Sequence, residues 1–432
     1  MKLFFSLIKI AWRNVRQNRR KSRVALLAIA SGYMSLNLFQ GYISEAEVMF
    51  EETYSRRAMY GDLIVTKSGA ERFFLDDRDQ RFVDHFLKND PATDVVVRGL
   101  FVSGLVTNGR TTTVFGGFGH DIEAGRQMRE TGWEWNTIAG KPLYQGTESD
   151  VVIGKALGAI LDCEPKLKFQ FLTGTGGYEA EDRPFECHSN RLQLSVSTAS
   201  GQLNAADVNV FGIMDAIFHD LDLRFISMPL ETAQTLMDTK NVSQYTLSLR
   251  PPRDEAAFMT RFREGAKEAG VVLDIRSWTA HPTGEYYVKS MEFLYIFRDF
   301  IVVVIIAIAL LSVLNTLIRI IQERTREIGT MRSIGFKAVH VKTIFVWEAF
   351  FLSVLGTVAG LILSLVVAKL INSLGILYKV GVLSESVPFK MWPTWTQSLQ
   401  SGLILIGISV VASIFPTTWA MRKKITECLA DT

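Results

Sequence analysis

At 432 residues the chain is long enough for two or three structural units, and a net charge of +3 is too small to argue for a nucleic-acid partner. Three cysteines, Cys163, Cys187 and Cys428, are too few for a disulfide-built scaffold. A composition of 48% hydrophobic and 21% charged residues fits a chain that is part membrane and part soluble domain.

Residues 1–23 carry Lys2, Lys9, Arg13, Arg16, Arg19, Arg20, Lys21 and Arg23 and no acid. Within them residues 3–21 read as a basic amphipathic helix lying along a membrane face, with Leu3, Phe4, Leu7, Ile8, Ile10, Ala11, Trp12 and Val15 on its apolar side. The first spanning candidate is Val24–Ile43, within residues 24–45, and it carries Ser31, Gly32, Asn37 and Gln40. A cleaved signal peptide is the competing reading. Against it, the apolar stretch is about 20 residues where a signal needs roughly 7–15, and Ser44-Glu45-Ala46 is a poor cleavage site.

Residues 46–285 are not membrane-like. Asp62–Thr66, Val95–Thr107, Thr111–Phe115, Leu192–Ser197 and Val208–Ile213 read as strands. Gly69, Asn108-Gly109, Gly116-Gly117, Gly174–Gly177 and Ser200-Gly201 punctuate them, and Asn108-Gly109 signals a hairpin. Pro229 starts a helix over Glu231–Thr239, and Asp254–Ala269 is a second helix with Ala257, Phe258, Phe262 and Ala266 on one side and Gly270 as its stop. The expectation is a mixed α+β domain in two lobes.

Tyr286–Phe297 runs on toward the next apolar stretch, Phe300–Ile321, with no strong breaker, so residues 286–321 are expected as one long stalk and spanning helix. Residues 322–343 are a short polar connection. In it Ile328, Met331, Ile334 and Phe336 share one face of an amphipathic helix and the charges occupy the other, which suits docking to a soluble partner. A third span covers 344–371, a small loop containing Pro388 and Pro393 covers 372–397, a fourth span covers 398–420, and 421–432 form a tail. Each span has the roughly 20 apolar residues that about 30 Å of hydrocarbon requires. Four crossings place all three basic clusters (residues 1–23, the 322–343 connection, and Arg422, Lys423 and Lys424) on one side, with 46–285 on the other. Both termini are then cytoplasmic.

Familiar chemistry is absent from the pattern. Gly154-Lys155-Ala156 lacks the spacing and hydroxyl of a phosphate loop, and there is no H-E-x-x-H or C-x-x-C. His219-Asp220-Leu221-Asp222 reads as a hydrated turn rather than a metal site, and no metal is expected. Cys163 and Cys187, both external, either form a disulfide or stay as two thiols. Glu348, after Trp347, is either a functional intramembrane acid or a carboxylate that reaches headgroup level or pairs with a nearby cation such as Lys342. Gly356 and Gly360 form a small-xxx-small motif suited to close helix packing, the best candidate for a dimer face.

The segment Arg324-Thr325-Arg326-Glu327-Ile328-Gly329-Thr330-Met331-Arg332-Ser333-Ile334-Gly335, followed by Trp347-Glu348-Ala349, resembles the R-x-R-E-I-G-x-x-R-x-I-G segment and downstream E-A of the FtsX/MacB-type permease superfamily of ABC transporters. Ala11-Trp12-Arg13-Asn14 and Phe415–Lys424 are similar to the family's opening and closing patterns, although Ile425-Thr426-Glu427-Cys428-Leu429 departs from the usual ending. The resemblance implies an α-helical membrane protein with four transmembrane helices and a large mixed α+β extracytoplasmic domain between the first and second, in a bacterial inner membrane. It implies a non-catalytic subunit, with ATP and Mg held by two copies of a separate ATP-binding subunit and no cofactor in this chain. A second permease copy, as homodimer or heterodimer, completes the assembly. Arg324, Arg326, Glu327, Gly329, Arg332 and Gly335 would form the ATPase-coupling contact. The external domain's size and the lack of a fused ATPase are most similar to the lipoprotein-releasing permeases (LolC/LolE), with membrane lipids and a periplasmic carrier or adaptor as further partners. A MacB-like export permease and an FtsX-like activator of a cell-wall hydrolase are the alternatives.

Overall fold

The computed structural model describes residues 2–17, 19–69, 73–133, 137–166, 184–216, 218–379 and 386–421. The expected loop at Gly174–Gly177 and the basic tail from Arg422 lie outside the described residues. Two compact units result: a helical block of Met1–Glu47, Met291–Ile376 and Phe389–Thr432, and an α/β unit of Val48–Ser290 with Leu377–Pro388.

The chain opens with α1 (Lys2–Gln17) and α2 (Arg19–Glu52). There follow β1 (Leu63–Lys67), α3 (Asp77–Asn89), β2 (Thr93–Thr107), β3 (Thr112–His120), α4 (Ile122–Trp133), β4 (Thr137–Gly140), β5 (Asp150–Gly154), α5 (Lys155–Ile160), β6 (Cys163–Pro165) and β7 (Phe185–Cys187). Next come β8 (Arg191–Ser197), β9 (Leu203–Met214), α6 (His219–Asp222), β10 (Phe225–Pro229), α7 (Leu230–Met237), β11 (Gln244–Leu249), α8 (Glu255–Ala269) and β12 (Leu273–Ser277). The remainder is α9 (Glu285–Glu323), α10 (Thr325–Ser333), α11 (Ala338–Ser373), β13 (Leu377–Lys379), β14 (Ser386–Pro388) and α12 (Trp395–Met421).

In the α/β unit the expected two lobes give way to one ten-stranded sheet, ordered β12-β1-β11-β2-β3-β10-β5-β9-β4, with β8 pairing both β2 and β9. Among the named strands of the described residues, β10 with β3 and β5 with β9 are the parallel pairs. The sheet is continuous because β2 is long: its first half pairs β11 and its second half pairs β8, while β3 runs along its other edge. Gly104 makes this possible, since a Cβ there would lie 2.1 Å from the Ser195 carbonyl oxygen. Gly116 and Gly117 do not end β3 as the pattern suggested; they pair with Ser103 and Val102 inside it. The hairpin at Asn108-Gly109 forms, with the Asn108 Oδ1 accepting from the backbone N–H groups of Arg110 (2.9 Å) and Thr111 (2.7 Å).

Helices α3 and α8 cover the sheet through Phe82, Phe86, Phe258 and Phe262, whose rings meet edge-on. The α8 start follows the sequence logic, with the Asp254 carboxylate accepting from the Ala257 N–H. The core beneath includes Leu63, Val65, Leu100, Ile153, Leu247 and Ile275, all fully buried, each stabilising by roughly 1.5–3 kcal/mol. A second cluster stacks Tyr54 on Trp278, with Tyr60, Phe218 and Tyr287 around them. Cys163 and Cys187 are paired residues of β6 and β7 and are bonded as a disulfide. The expected hydrated turn at His219–Asp222 is corrected at one residue. Asp222 is buried, and its carboxylate accepts from the N–H groups of Lys155 (3.1 Å), Ala156 (2.8 Å) and Ala216 (3.0 Å), so it caps α5.

In the helical block three helices are long and apolar enough to cross a membrane among the described residues: Arg23–Arg57, Ala338–Ser373 and Trp395–Trp419. The remaining expected span, Phe300–Ile321, lies within α9, which is unbroken over 39 residues and several of whose side chains lie outside the described residues. Large apolar side chains such as Val366, Leu370, Leu403, Val411 and Phe415 are exposed along α11 and α12. Such extended apolar surface is not tolerated in water and fits contact with lipid. Gly356 and Gly360 face α2 of the same chain. A Cβ at Gly356 would lie 2.6 Å from Ile29, and one at Gly360 would lie 2.6 Å from the Ala30 carbonyl oxygen. The reading of these glycines as a dimer face is therefore corrected: the close approach they permit is used within the chain.

His120, at the end of β3, is fully buried, and burial together with the nearby Arg129 guanidinium pushes its imidazole from the usual 6.5 down to about 3. The folded state thus holds His120 neutral where the unfolded chain would protonate it. Stability from this group is complete above pH 6.5 and falls as pH drops below it, by about 1.4 kcal/mol per pH unit. A His120→Phe variant is expected to lose that part of the slope in denaturant melts between pH 6.5 and 4; an unchanged slope would remove His120 from the acid response.

Candidate functional site

The segment that carries chemistry in this chain is α10 and what holds it. Its first turn has no side-chain cap at Arg324; instead the Thr325 hydroxyl donates back to the carbonyls of Ile321 (3.1 Å) and Gln322 (2.8 Å), tying α10 to the end of α9. At the other end the Phe336 N–H donates to the Met331 carbonyl and the Gly335 N–H to that of Arg332. With Gly335 at φ +101 this is a Schellman stop, and glycine is needed because a side chain at that φ is strained. Phe336 and Met331 then pack on the same apolar cluster, the hydrophobic contact that commonly accompanies the motif.

That cluster is formed by Ile320, Ile321, Ile328, Val341, Phe345 and Met421, so α10 is seated by its inner face on α9, α11 and α12. Of the expected apolar face Ile328, Met331 and Phe336 are seated as foreseen, but Ile334 is not. It is 76% exposed, because the helix ends at Ser333 and Ile334 is its C-cap, where helical spacing no longer holds the side chain on the inner face.

Glu348 on α11 is the centre of the arrangement. Its side chain is 5% exposed. The Arg324 guanidinium donates to Oε1 at 3.1 Å, and the Asn14 amide of α1 donates to the same oxygen at 2.5 Å. The sequence offered a nearby cation such as Lys342 as one possible partner for Glu348; the cation that pairs with it is Arg324. Arg324 also reaches Glu327 at 3.1 Å, but Glu327 is mostly exposed. Leu7 and Ala11 of α1 pack with Ile344 of α11, and Trp12 meets Phe351 edge-on at 5.1 Å. Three elements, α1, α10 and α11, are therefore joined at one carboxylate.

The six residues singled out on α10 divide by placement. Arg326, Glu327 and Gly335 are exposed, with Thr330, Ile334 and Val339 beside them. Arg332 is half-buried and Gly329 is buried against the block. Arg324 is turned inward to Glu348. Asn14 was noted in the sequence only as part of an opening motif, and nothing in its local pattern marks it as a partner for residue 348. Among the described residues no group of three or more His, Cys, Asp or Glu could hold a metal ion.

The helical block thus combines helices long and apolar enough to cross a membrane with a short charged helix seated between two of its long helices. Residues 300–425 match the family described as FtsX-like permease C-terminal. Over 97% of its length the chain is 21% identical to the lipoprotein-releasing system transmembrane protein LolC of Neisseria meningitidis, covering 98% of that protein. It is 24% identical to the LolE protein of Haemophilus influenzae, over 49% of this chain and 52% of that one. The periplasmic region of MacB from Actinobacillus actinomycetemcomitans superposes with a TM-score of 0.34 at 11% identity, over 56% of this chain and 95% of that one. Residues 300–425 thus carry a likeness to FtsX-like permeases, and over nearly its whole length the chain is similar to a LolC protein.

Glu348→Ala removes the buried carboxylate of the pair and leaves Arg324 with only the exposed Glu327, and the expected loss approaches the roughly 3–5 kcal/mol of a broken buried ion pair. Glu327→Ala removes only an exposed partner and is expected to cost about 0–1 kcal/mol. Thermal melts of the two variants in one detergent check this, and equal losses would show that burial does not set the strength of this network.

Proposed function

We propose that this chain is the non-catalytic membrane subunit of an ABC transporter, and that α10 is where a separate ATP-binding subunit pushes on it. The observation that carries this reading is the two-sided character of α10. Its inner side is fixed to three other helices and its outer side presents Arg326, Glu327, Thr330 and Ile334. An exposed Ile334 on the same segment as exposed Arg326 and Glu327 supplies both the apolar and the charged side chains that a protein-docking patch combines. Two ATP-binding subunits holding ATP and Mg, and two permease chains, complete the assembly in this reading. The fourth membrane crossing is Phe300–Ile321 of α9, and the basic end of the block faces the cytoplasm of a bacterial inner membrane.

Force applied at α10 passes through Thr325 to α9 and through Arg324 and Glu348 to α11. Because α9 is one helix from Glu285 to Glu323, displacement at its α10 end reaches residues of the α/β unit without crossing a loop. The cargo we favour is a lipoprotein or other lipidic molecule drawn from the membrane and handed to a periplasmic carrier. Support for it is the near full-length match to a lipoprotein-releasing protein.

Arg326→Glu combined with Ile334→Asp is expected to weaken co-purification with the cognate ATPase by tenfold or more, about 1.4 kcal/mol, with the melting temperature little changed. Retained ATPase binding would overturn α10 as the docking element. Sidedness is tested separately in a Cys428→Ser background. A cysteine at Thr330 is expected to react with an impermeant thiol reagent only from the cytoplasmic side, and one at Ser200 only from the opposite side.

A further inference from the structure

The contact of α2 with α11 and α12 contains polar groups for which the mechanism above has no use. Tyr33, Asn37 and Gly41 are spaced at i, i+4 and i+8 and so share one face of α2. Both ends of this row are fixed. The Tyr33 hydroxyl donates to the Ser398 carbonyl of α12 at 2.6 Å, and a Cβ at Gly360 of α11 would lie 3.1 Å from the Tyr33 ring. A Cβ at Gly41 would lie 2.9 Å from the backbone of Trp392 and Pro393, just before α12. Asn37 therefore points into the contact, and it is 1% exposed. Neither its amide nitrogen nor its amide oxygen has a hydrogen-bond partner among the described residues. The buried Oε1 atoms of Gln40, one turn along, and of Gln397, beside Ser398, share that condition.

A buried amide left unpaired bears the full desolvation cost of each polar group, too much for several to remain so in one contact. The chemistry of the set selects the missing partner. A bare cation would pair the three oxygens but repel the Asn37 NH₂, and an anion would do the reverse. A ligand that both donates and accepts satisfies all of them, and water is the smallest such ligand. We propose that the outer end of the α2–α11–α12 contact is a hydration site built on Asn37, Gln40 and Gln397. Water there satisfies the middle of the α2 row, while the Tyr33–Ser398 hydrogen bond and the close approach at Gly41 hold its ends. The inference stands on these side chains alone and does not depend on what docks at α10.

X-ray hydroxyl-radical footprinting of the full chain in lipid nanodiscs tests it, because bound water activated in place oxidises the side chain beside it. Tyr33 and Tyr54 are almost equally buried, at 2% and 3%, but Tyr54 sits in an aromatic cluster. Oxidation of Tyr33 above that of Tyr54 is expected, with loss of the excess in Asn37→Leu and its retention in Asn37→Ser. Tyr33 as silent as Tyr54 in the unmodified chain, or labelling unchanged by Asn37→Leu, would overturn the proposal. If Asn37→Leu does not fold, the comparison of the two tyrosines in the unmodified chain decides alone.

Discussion

A carboxylate taken out of water must find its counter-charge and its hydrogen bonds inside the protein, and in this molecule Glu348 imposes that demand. Oε1 receives both the Arg324 guanidinium and the Asn14 amide. Because the charge is buried, the cost of separating the partners is the full desolvation of a charge rather than the modest energy of a surface pair. The start of α10, the last turn of α1 and the N-terminal third of α11 are consequently tied together at one carboxylate. Arg324 cannot serve as an outward docking cation while it meets this demand, which leaves recognition on α10 to Arg326, Glu327, Thr330 and Ile334.

The rest of the helical block is assembled by different physics. Between helices in an apolar solvent there is little hydrophobic drive, so close backbone approach and polar contacts decide the packing. Gly356 and Gly360 let α11 come against Ile29 and Ala30 of α2, and the Tyr33 hydroxyl bonds the Ser398 carbonyl. In the α/β unit the usual aqueous rules hold. A continuous sheet buries Leu63, Leu100, Ile153 and Leu247, aromatic pairs lock α3 and α8 onto it, and buried polar groups such as Asp222 are paired to backbone N–H donors. One polypeptide therefore obeys two sets of packing rules, divided at residues 47 and 291.

Much of the architecture was legible before any tertiary information. The β2 and β8 strands, the helix over 255–269 and the unbroken run into α9 follow from periodicity, capping residues and the absence of breakers, all properties of neighbouring residues. The site was half legible: the charged helix was marked by its composition, and Ile328, Met331 and Phe336 by their spacing. Ile334 was misjudged because the helix ends one residue before it, at Ser333, so the helical spacing that places Ile328 and Met331 no longer fixes where its side chain points.

Local pattern by itself determined which segments are apolar enough to meet lipid, which segment is basic, and where most helices begin and end, because each depends on residues a few positions apart. Only the folded chain decided the partners: Asn14 with Glu348 across 334 residues, Tyr33 with Ser398 across 365, and a ten-stranded sheet in place of two lobes. Such pairs are chosen by shape and by the penalty for leaving a buried polar group alone. Neither is expressed until distant segments have already met.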